Sequence, residues 1–592
     1  MTQDPSVQAK TLQGIPVHAG IVIGKAHLVD RSQVKILYQY IVDDGQVERE
    51  IDRFKDSVKT VEDQLIAIKN GMPEKVKDHS FILDSHLMML KDSMFLDATI
   101  KKIRKEKINA EWAVKKSLQE IRGVFGQIED DYIRDRISDV ENVTERILRT
   151  LSGEMQQSLA EINQRVIIVA HDLSPADTTE LNLSKVKGFI TDIGGKTSHT
   201  AIMAQALEIP AVVGLKSATQ LVHDGDLLIV DGTTGDVIIN PDDQAILHAQ
   251  EKQLKFEKYQ SSIVRLSHLP AETLDGFRIA VSGNIEFLEE VAAVKDNGGE
   301  GIGLYRTEFL YLRNKGFPSE EELFEDYREV AEIINPFPVR IRTLDLGGDK
   351  FASKLDISKE LNPALGLRAI RFCLKEPDIF KSQLSAILRA SIYGKIELMF
   401  PMVSGLQELI DAKKILDEVK SDLDHRNIEY DRDMKIGIMI EVPAAVAVAD
   451  VLARHVDFFS IGTNDLIQYS LAIDRVNENV AYMYQPFHPA ILRMLKFTVQ
   501  AAKKEKIPVS LCGEMAGDPL CVAILLCLGF DGLSMNARAI PLIKKIIRAT
   551  SMEQARLDFE NVMALDTAKE VNTYVLERVR SQFPELVERG YI

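Results

Sequence analysis

The sequence predicts a multidomain α/β protein: a small α/β domain, an antiparallel helical bundle inserted into it, and a C-terminal (β/α)8 barrel of the TIM type. Three observations predict this class. The chain has 592 residues, too many for a single hydrophobic core. A stretch near the N-terminus spaces its apolar residues four and three apart, the seam of one helix packed on another. From about residue 270 onward, eight short apolar runs alternate with helical material, which is the pattern of a parallel barrel.

Residues 1–33 contain "GIVIGKAHLV", a β-branched run bounded by glycine and so a strand. Residues 34–152 read as helical throughout. In "QVEREIDRFKDSVKTVEDQLIAIKNG" the seam is Val47, Ile51, Phe54, Val58, Val61, Leu65 and Ile68, and Gly71 and Pro73 end it. Helices over Ile82–Leu96, Trp112–Phe125 and Tyr132–Leu151 complete an antiparallel bundle. Strands resume in residues 153–240 as "RVIIVA", "KGFIT", "AVVG", "DLLIVDG" and "DVIIN". The first and third stretches therefore form one domain, with the bundle between them. Residues 241–269 read as a helical linker and 270–592 as the barrel. Its strands are expected at 278–283, 301–306, 339–347, 396–402, 435–442, 457–463, 507–513 and 530–535.

Composition narrows the function classes. The 45% hydrophobic and 27% charged content is ordinary for a soluble globular chain. A net charge of −17 argues against nucleic acid as a partner and suits a basic protein surface. The four cysteines, Cys373, Cys512, Cys521 and Cys527, form no Cys-x-x-Cys pair, which suggests a reducing cytosol. "MTQDPSVQAK" lacks an apolar signal core, and no apolar run approaches the ~20 residues of a membrane span. A cytoplasmic protein with no membrane partner is expected.

Barrels of this kind carry chemistry at the C-terminal ends of their strands. Arg306 ends the second expected strand, Arg342 lies in the second half of the third and Glu441 ends the fifth. Asn464 and Asp465 follow the sixth, Arg475 lies beyond them, and Cys512 ends the seventh. So many charges on one rim would be costly to bury at random. Arginine forks suit phosphate or carboxylate. Glu441 and Asp465 are oxygen ligands of the kind Mg²⁺ takes. Together they suit a small, multiply anionic substrate and phosphoryl transfer, with Cys512 a candidate proton donor. Each residue also has a plainer reading. Arg306 could pair with Glu308 or Asp345, Asp465 could cap a helix, and Cys512 on spacing alone is a buried small hydrophobe.

"GGKTSHTAIMAQ" (194–205) places His199 after two glycines and two hydroxyls at an expected helix start. Such a start is a ready anion site, although a satisfied turn histidine fits as well. This string continues as "GGKTSHTAIMAQALEIPAVVG" and resembles the phosphohistidine signature of the phosphoenolpyruvate-utilising enzymes. "GIGLYRTEFLY", "IRTLDLGGDK", "NPALGLRAIR", "IMIEVPAA", "FFSIGTNDLIQYSLAIDR" and "LCGEMAGD" resemble that family's barrel motifs, in the family's order. The resemblance spans almost the whole chain and is closest to the branch serving bacterial sugar phosphotransfer.

The resemblance implies that His199 takes the phosphoryl group of phosphoenolpyruvate and passes it to a histidine of the carrier protein HPr. It implies that Arg306, Arg342, Asn464, Asp465 and Arg475 bind phosphoenolpyruvate, that Glu441 and Asp465 ligate Mg²⁺, and that Cys512 protonates the departing enolate. It also implies a swivelling histidine domain, an HPr-docking bundle and dimerisation through the barrel. Thr178 matches a family position near the histidine, and Arg368 matches a strong family position of no assigned role. Lys196 stands where arginine is usual, and His18-Ala19 where Ser-Pro or Ala-Pro is usual. The 198 residues before His199 contain no Gly-rich phosphate loop, which speaks against the family's ATP-using dikinase and synthase branches.

Overall fold

The computed structural model describes residues 9–29, 38–41, 43–71, 86–87, 89–90, 93–125, 131–153, 164–173, 185–195, 198, 200–201, 204–205, 209–313, 317–346, 362–475, 477 and 480–588. His199, Lys196, Thr197 and Thr178 lie outside them. The chain divides into two compact units, Met1–Lys258 with Glu585–Tyr591, and Tyr259–Pro584. The division falls within the helix Asp243–Ser267.

The first unit contains an eight-stranded sheet in the order β1-β8-β7-β3-β4-β5-β6-β2. Its strands are β1 (Lys10–Gln13), β2 (Ile15–His18), β3 (Ile21–Val29), β4 (Val166–Ala170), β5 (Val186–Thr191), β6 (Ala211–Val213), β7 (Leu227–Asp231) and β8 (Asp236–Ile239). Ile167, Ile190 and Val230 pack on one face of the sheet, and Ile168, Phe189 and Ala211 on the other. Burial on both faces explains the unbroken apolar runs. Strands β1 and β2 are additions to what the sequence pattern predicts. They close opposite edges of the sheet although only Gly14 separates them, so the sheet curls until its edges meet. Gly14 makes the meeting possible: a Cβ there would stand 2.6 Å from Val212 Cγ1 and 2.7 Å from Val213 O.

Between β3 and β4, which pair in parallel, run the helices Asp44–Gly71, Ser93–Glu106, Ala110–Phe125 and Asp131–Ser152. Val47, Ile51, Phe54, Val58, Val61 and Leu65 are all buried in their common core with Ile103, Val114 and Ile147. Ile68's side chain and residues 82–85 lie outside the described set. The segment is not helical throughout, as the sequence had suggested. Residues 38–41 are not helical, and Tyr40 bridges Ile108. The rings of Tyr38 and Tyr40 meet Trp112 edge-on at 5.5 and 4.8 Å, and this packing holds the chain off the helical path.

The second unit is a closed parallel barrel, as the sequence predicts. Its strands are β9 (Ala280–Ile285), β10 (Ile302–Arg306), β11 (Pro338–Arg342), β12 (Lys395–Phe400), β13 (Ile436–Ile440), β14 (Phe458–Ile461), β15 (Val509–Leu511) and β16 (Gly532–Met535), with β16 pairing β9. Gly437 faces Phe458, whose ring carbons would lie 2.4–2.5 Å from an added Cβ, so small against large fills the interior. Strands β11 to β15 end earlier than expected, whereas β10 and β16 end where expected and β9 runs on to Ile285. Strand β11 stops at Arg342, β13 at Ile440 and β15 at Leu511. Glu441 and Cys512 therefore begin loops rather than end strands, because backbone leaving the ladder can aim them into the rim.

Candidate active site

Arg306 and Arg342 are the last residues of β10 and β11, and Glu441 and Cys512 directly follow β13 and β15. Asn464 and Asp465 lie in the first turn of the helix Thr463–Leu471 after β14. In a closed parallel barrel these positions share one rim. Arg475 follows that helix and is more exposed.

Arg342 is the buried centre of the rim, 7% exposed. Its guanidinium pairs with Glu308, and with Asp345 at 2.9 Å, and lies 3.8 Å from Met439 Sδ. The other oxygen of Asp345 accepts from Arg368 at 2.8 Å. Arg368 continues to Asp465 at 3.6 Å and donates to the Tyr469 hydroxyl at 3.1 Å. Burial works against the charge on Arg342, yet the Glu308 and Asp345 carboxylates hold its pKa above the ordinary arginine value. Burial alone would raise the Asp345 carboxyl, but Arg342 and Arg368 overcome it and keep that group ionised, below the usual range. The two carboxylates suggested for Arg306 thus belong to Arg342. Arg306 instead pairs with Glu286 at 2.6 Å.

Asn464 and Arg475 form a second group around Glu514. The Asn464 amide donates to Glu514 Oε1 at 2.9 Å and its oxygen accepts the Glu514 backbone N–H at 2.9 Å, while Arg475 reaches the same carboxylate at 3.3 Å. Glu286 and Glu514 were not singled out from the sequence, and Glu308 and Asp345 were named there only as partners for Arg306. Their signal was adjacency: "YRTEF" puts Glu308 two residues after Arg306, and "RTLD" puts Asp345 three after Arg342.

Cys512 is 2% exposed. The Ser460 hydroxyl donates to its sulfur at 3.2 Å, and the thiol faces Ile461 O at 3.6 Å. Burial pushes the thiol's pKa up, outweighing the Ser460 hydrogen bond and the nearby arginines, so at neutral pH it carries its proton. Asn284 holds the Cys512 carbonyl at 3.0 Å and is itself held by Ser534 at 2.6 Å.

Glu441 accepts the Met402 N–H at 2.6 Å through one oxygen. Burial, then Asp345 and Asp465, push its pKa up to about 8. Its other oxygen faces Gly462, where a Cβ would stand 2.8 Å away, so glycine keeps a side chain from crowding that oxygen. A buried carboxyl group with negative neighbours, Asp465 among them, fits a hard divalent cation that would hold it ionised. Among the described residues no group of three or more His, Cys, Asp or Glu could enclose a metal. The remaining ligands would be substrate oxygens and water. Buried Arg342 Nε and Thr463 Oγ1 have no protein partner, which also fits a site that binds something polar.

The loops after β14 and β15 touch at Gly513, where an added Cβ would stand 1.8 Å from Thr463 Oγ1 and 2.7 Å from its backbone nitrogen. Gly513→Ala must separate the Cys512 and Asn464 loops. It is expected to cost about 1–3 kcal/mol of stability, read as a lowered urea midpoint, and to lower turnover further than that loss explains.

In the first unit, described residues lie close to His199 in sequence. Gly194 has φ +117°, a conformation that favours glycine. The Ser198 N–H donates to Gly195 O at 3.1 Å, and its hydroxyl accepts the Ala201 N–H at 3.3 Å. Buried Asp192, just before the glycines, takes Thr219 N at 3.1 Å and His171 Nδ1 at 3.3 Å.

A parallel barrel with an arginine and carboxylate rim, in a chain that also carries the sequence Gly-Gly-Lys-Thr-Ser-His after a strand of a separate sheet, falls in the class of PEP-utilising enzymes. Three models of that class match: the N-terminal domain over residues 13–136, the mobile domain over 162–235 and the PEP-binding domain over 260–552. A phosphoenolpyruvate-protein phosphotransferase of Bacillus sp. (strain S) is 43% identical over 571 residues, covering 96% of this chain and 98% of that one. Proteins of the same description from Geobacillus stearothermophilus (43% over 571 residues, 96% and 98%) and Bacillus subtilis (strain 168; 42% over 567 residues, 96% and 99%) are similarly close. The chain belongs to the phosphoenolpyruvate-protein phosphotransferase family, a family of transferases.

Proposed function

We propose that the chain moves the phosphoryl group of phosphoenolpyruvate to its own His199, releasing pyruvate, and then to a histidine of the carrier HPr. This is the first general step of sugar uptake by the phosphotransferase system, the role of enzyme I. The observation that carries the reading is the array Arg342–Asp345–Arg368–Asp465, buried at Arg342 and Asp345 and partly buried beyond them, beside a protonated Cys512. Two fixed cations suit a phosphate and a carboxylate, and the thiol supplies the proton that pyruvate needs.

Arg306, Arg342 and Arg475 orient the substrate and neutralise its oxygens, with Asn464 donating from the side. The bond between phosphorus and the enol oxygen breaks as a phosphorus–nitrogen bond forms at the His199 imidazole. The enolate takes the Cys512 proton at its methylene carbon, and the thiolate regains a proton from solvent. Glu441 and Asp465 would hold Mg²⁺, which when bound supplies charge neutralisation at the phosphate. The carrier is then expected at the acidic helical insert ("DDGQVERE", "IEDDYIRD"), which would suit a basic surface.

The same reading places the protein in the cytoplasm, which its four free cysteines suit. No described helix is long and apolar enough to cross a membrane. It also makes the protein a dimer through the barrel, and the exposed Leu365 and Tyr482 are apolar surface for such a contact. A pyruvate assay tests the function. Without HPr, one pyruvate per chain should appear as a burst, and adding HPr in excess should release one further pyruvate per HPr as the chain turns over. Continuous pyruvate release without any carrier would contradict it.

A further inference from the structure

Gln383 sits on the outer helix Pro377–Ala390 and is 1% exposed. A buried amide is costly unless its hydrogen-bonding groups are matched, and here they are. Gln383 Oε1 accepts the Leu344 N–H at 2.9 Å. Its Nε2 donates to the Thr307 hydroxyl at 3.0 Å and the Tyr327 hydroxyl at 3.2 Å. The Thr307 hydroxyl in turn donates to the Arg342 carbonyl at 2.8 Å. Thr307 directly follows Arg306, and Leu344 lies between Arg342 and Asp345. One side chain outside the barrel thus ties the turn after β10 to the turn after β11.

We propose that Gln383 is a positioning residue for phosphoenolpyruvate: it sets the separation of the Arg306 and Arg342 guanidinium groups and the aim of Asp345. The proposal rests on the functional reading above. It uses the amide in this orientation: by donating to the Thr307 oxygen, Gln383 leaves the hydroxyl proton to Arg342 O. A carboxylate at 383 can only accept. The Thr307 hydroxyl would then turn toward it and release Arg342 O, and the Tyr327 hydroxyl would donate as well.

The test compares two half-reactions in the full chain. In Gln383→Leu, kcat/KM for pyruvate formation from phosphoenolpyruvate should fall about tenfold or more, the effect of about 1–2 kcal/mol of lost positioning. Discharge of the phosphorylated protein to HPr, which the barrel does not serve, should stay at the wild-type rate. In Gln383→Glu, kcat/KM should fall at neutral pH. It should recover relative to wild type as the pH is lowered, because the buried carboxyl takes up a proton and regains a donor. A merely structural role would slow both half-reactions together and give no such recovery. Equal loss in both, or no loss in either variant, overturns the proposal. A wild-type chain inert to phosphoenolpyruvate would overturn the functional reading with it, and that result is separately visible.

Discussion

Cys512→Ala is expected to lower the rate of pyruvate release from phosphoenolpyruvate by about 10²–10⁴-fold, the usual contribution of a positioned proton donor. The thiol is buried, its pKa is pushed up by that burial, and Ser460 and Ile461 fix its direction. The substitution removes a small apolar volume from the core, so the fold should survive it. Phosphoenolpyruvate should still bind, because the arginines are untouched, and the loss should fall on kcat rather than KM. Tritium or deuterium incorporation into pyruvate gives a second readout. In the wild type one face of the enolate takes the proton, whereas in the variant proton delivery from water loses that preference. Unchanged turnover would remove Cys512 from the mechanism and return it to the packing role that its spacing alone suggests.

The second large effect is expected at Arg342, where stability and function coincide. Arg342→Leu leaves Glu308 and Asp345 as buried carboxylates deprived of their main partner. Breaking a buried pair in this way costs about 3–5 kcal/mol, so denaturant unfolding of the barrel should shift by that amount. Arg342→Lys keeps the charge and loses the fork, so it should recover much of the stability while still binding phosphoenolpyruvate poorly. A lysine variant with wild-type kcat/KM would show that charge alone is needed there and that the two-pronged contact is not.

The reach of the sequence differs between elements for physical reasons. The barrel was legible because strands such as β10, β13, β14 and β15 are buried along nearly their whole length and so read as apolar runs. Strands β1 and β2 were not, because they are short, partly exposed edges whose partners lie more than 190 residues away. The residues 38–41 were lost to a helical pattern that two tyrosines and Trp112 override. At the site, strand-end position identified Arg306, Arg342, Glu441 and Cys512 as rim residues. Which carboxylate meets which arginine was not legible, since pairing depends on burial and loop path. Glu308 is two residues from Arg306 yet turns to Arg342, leaving Arg306 to Glu286. Arg368 had no role from sequence and is placed between Asp345 and Asp465. Gln383, on an outer helix, gave no signal at all, because its meaning lies in three partners from separate elements.

The central claim is that His199 carries the phosphoryl group between the barrel chemistry and the carrier. Intact-protein mass spectrometry after mixing the pure protein with phosphoenolpyruvate and Mg²⁺ tests it most directly, with His199→Ala treated in parallel. The account predicts addition of a single acid-labile phosphoryl group to the wild type, none to the variant, and loss of the group when HPr is added. No addition from phosphoenolpyruvate, or addition that persists in His199→Ala, would contradict it.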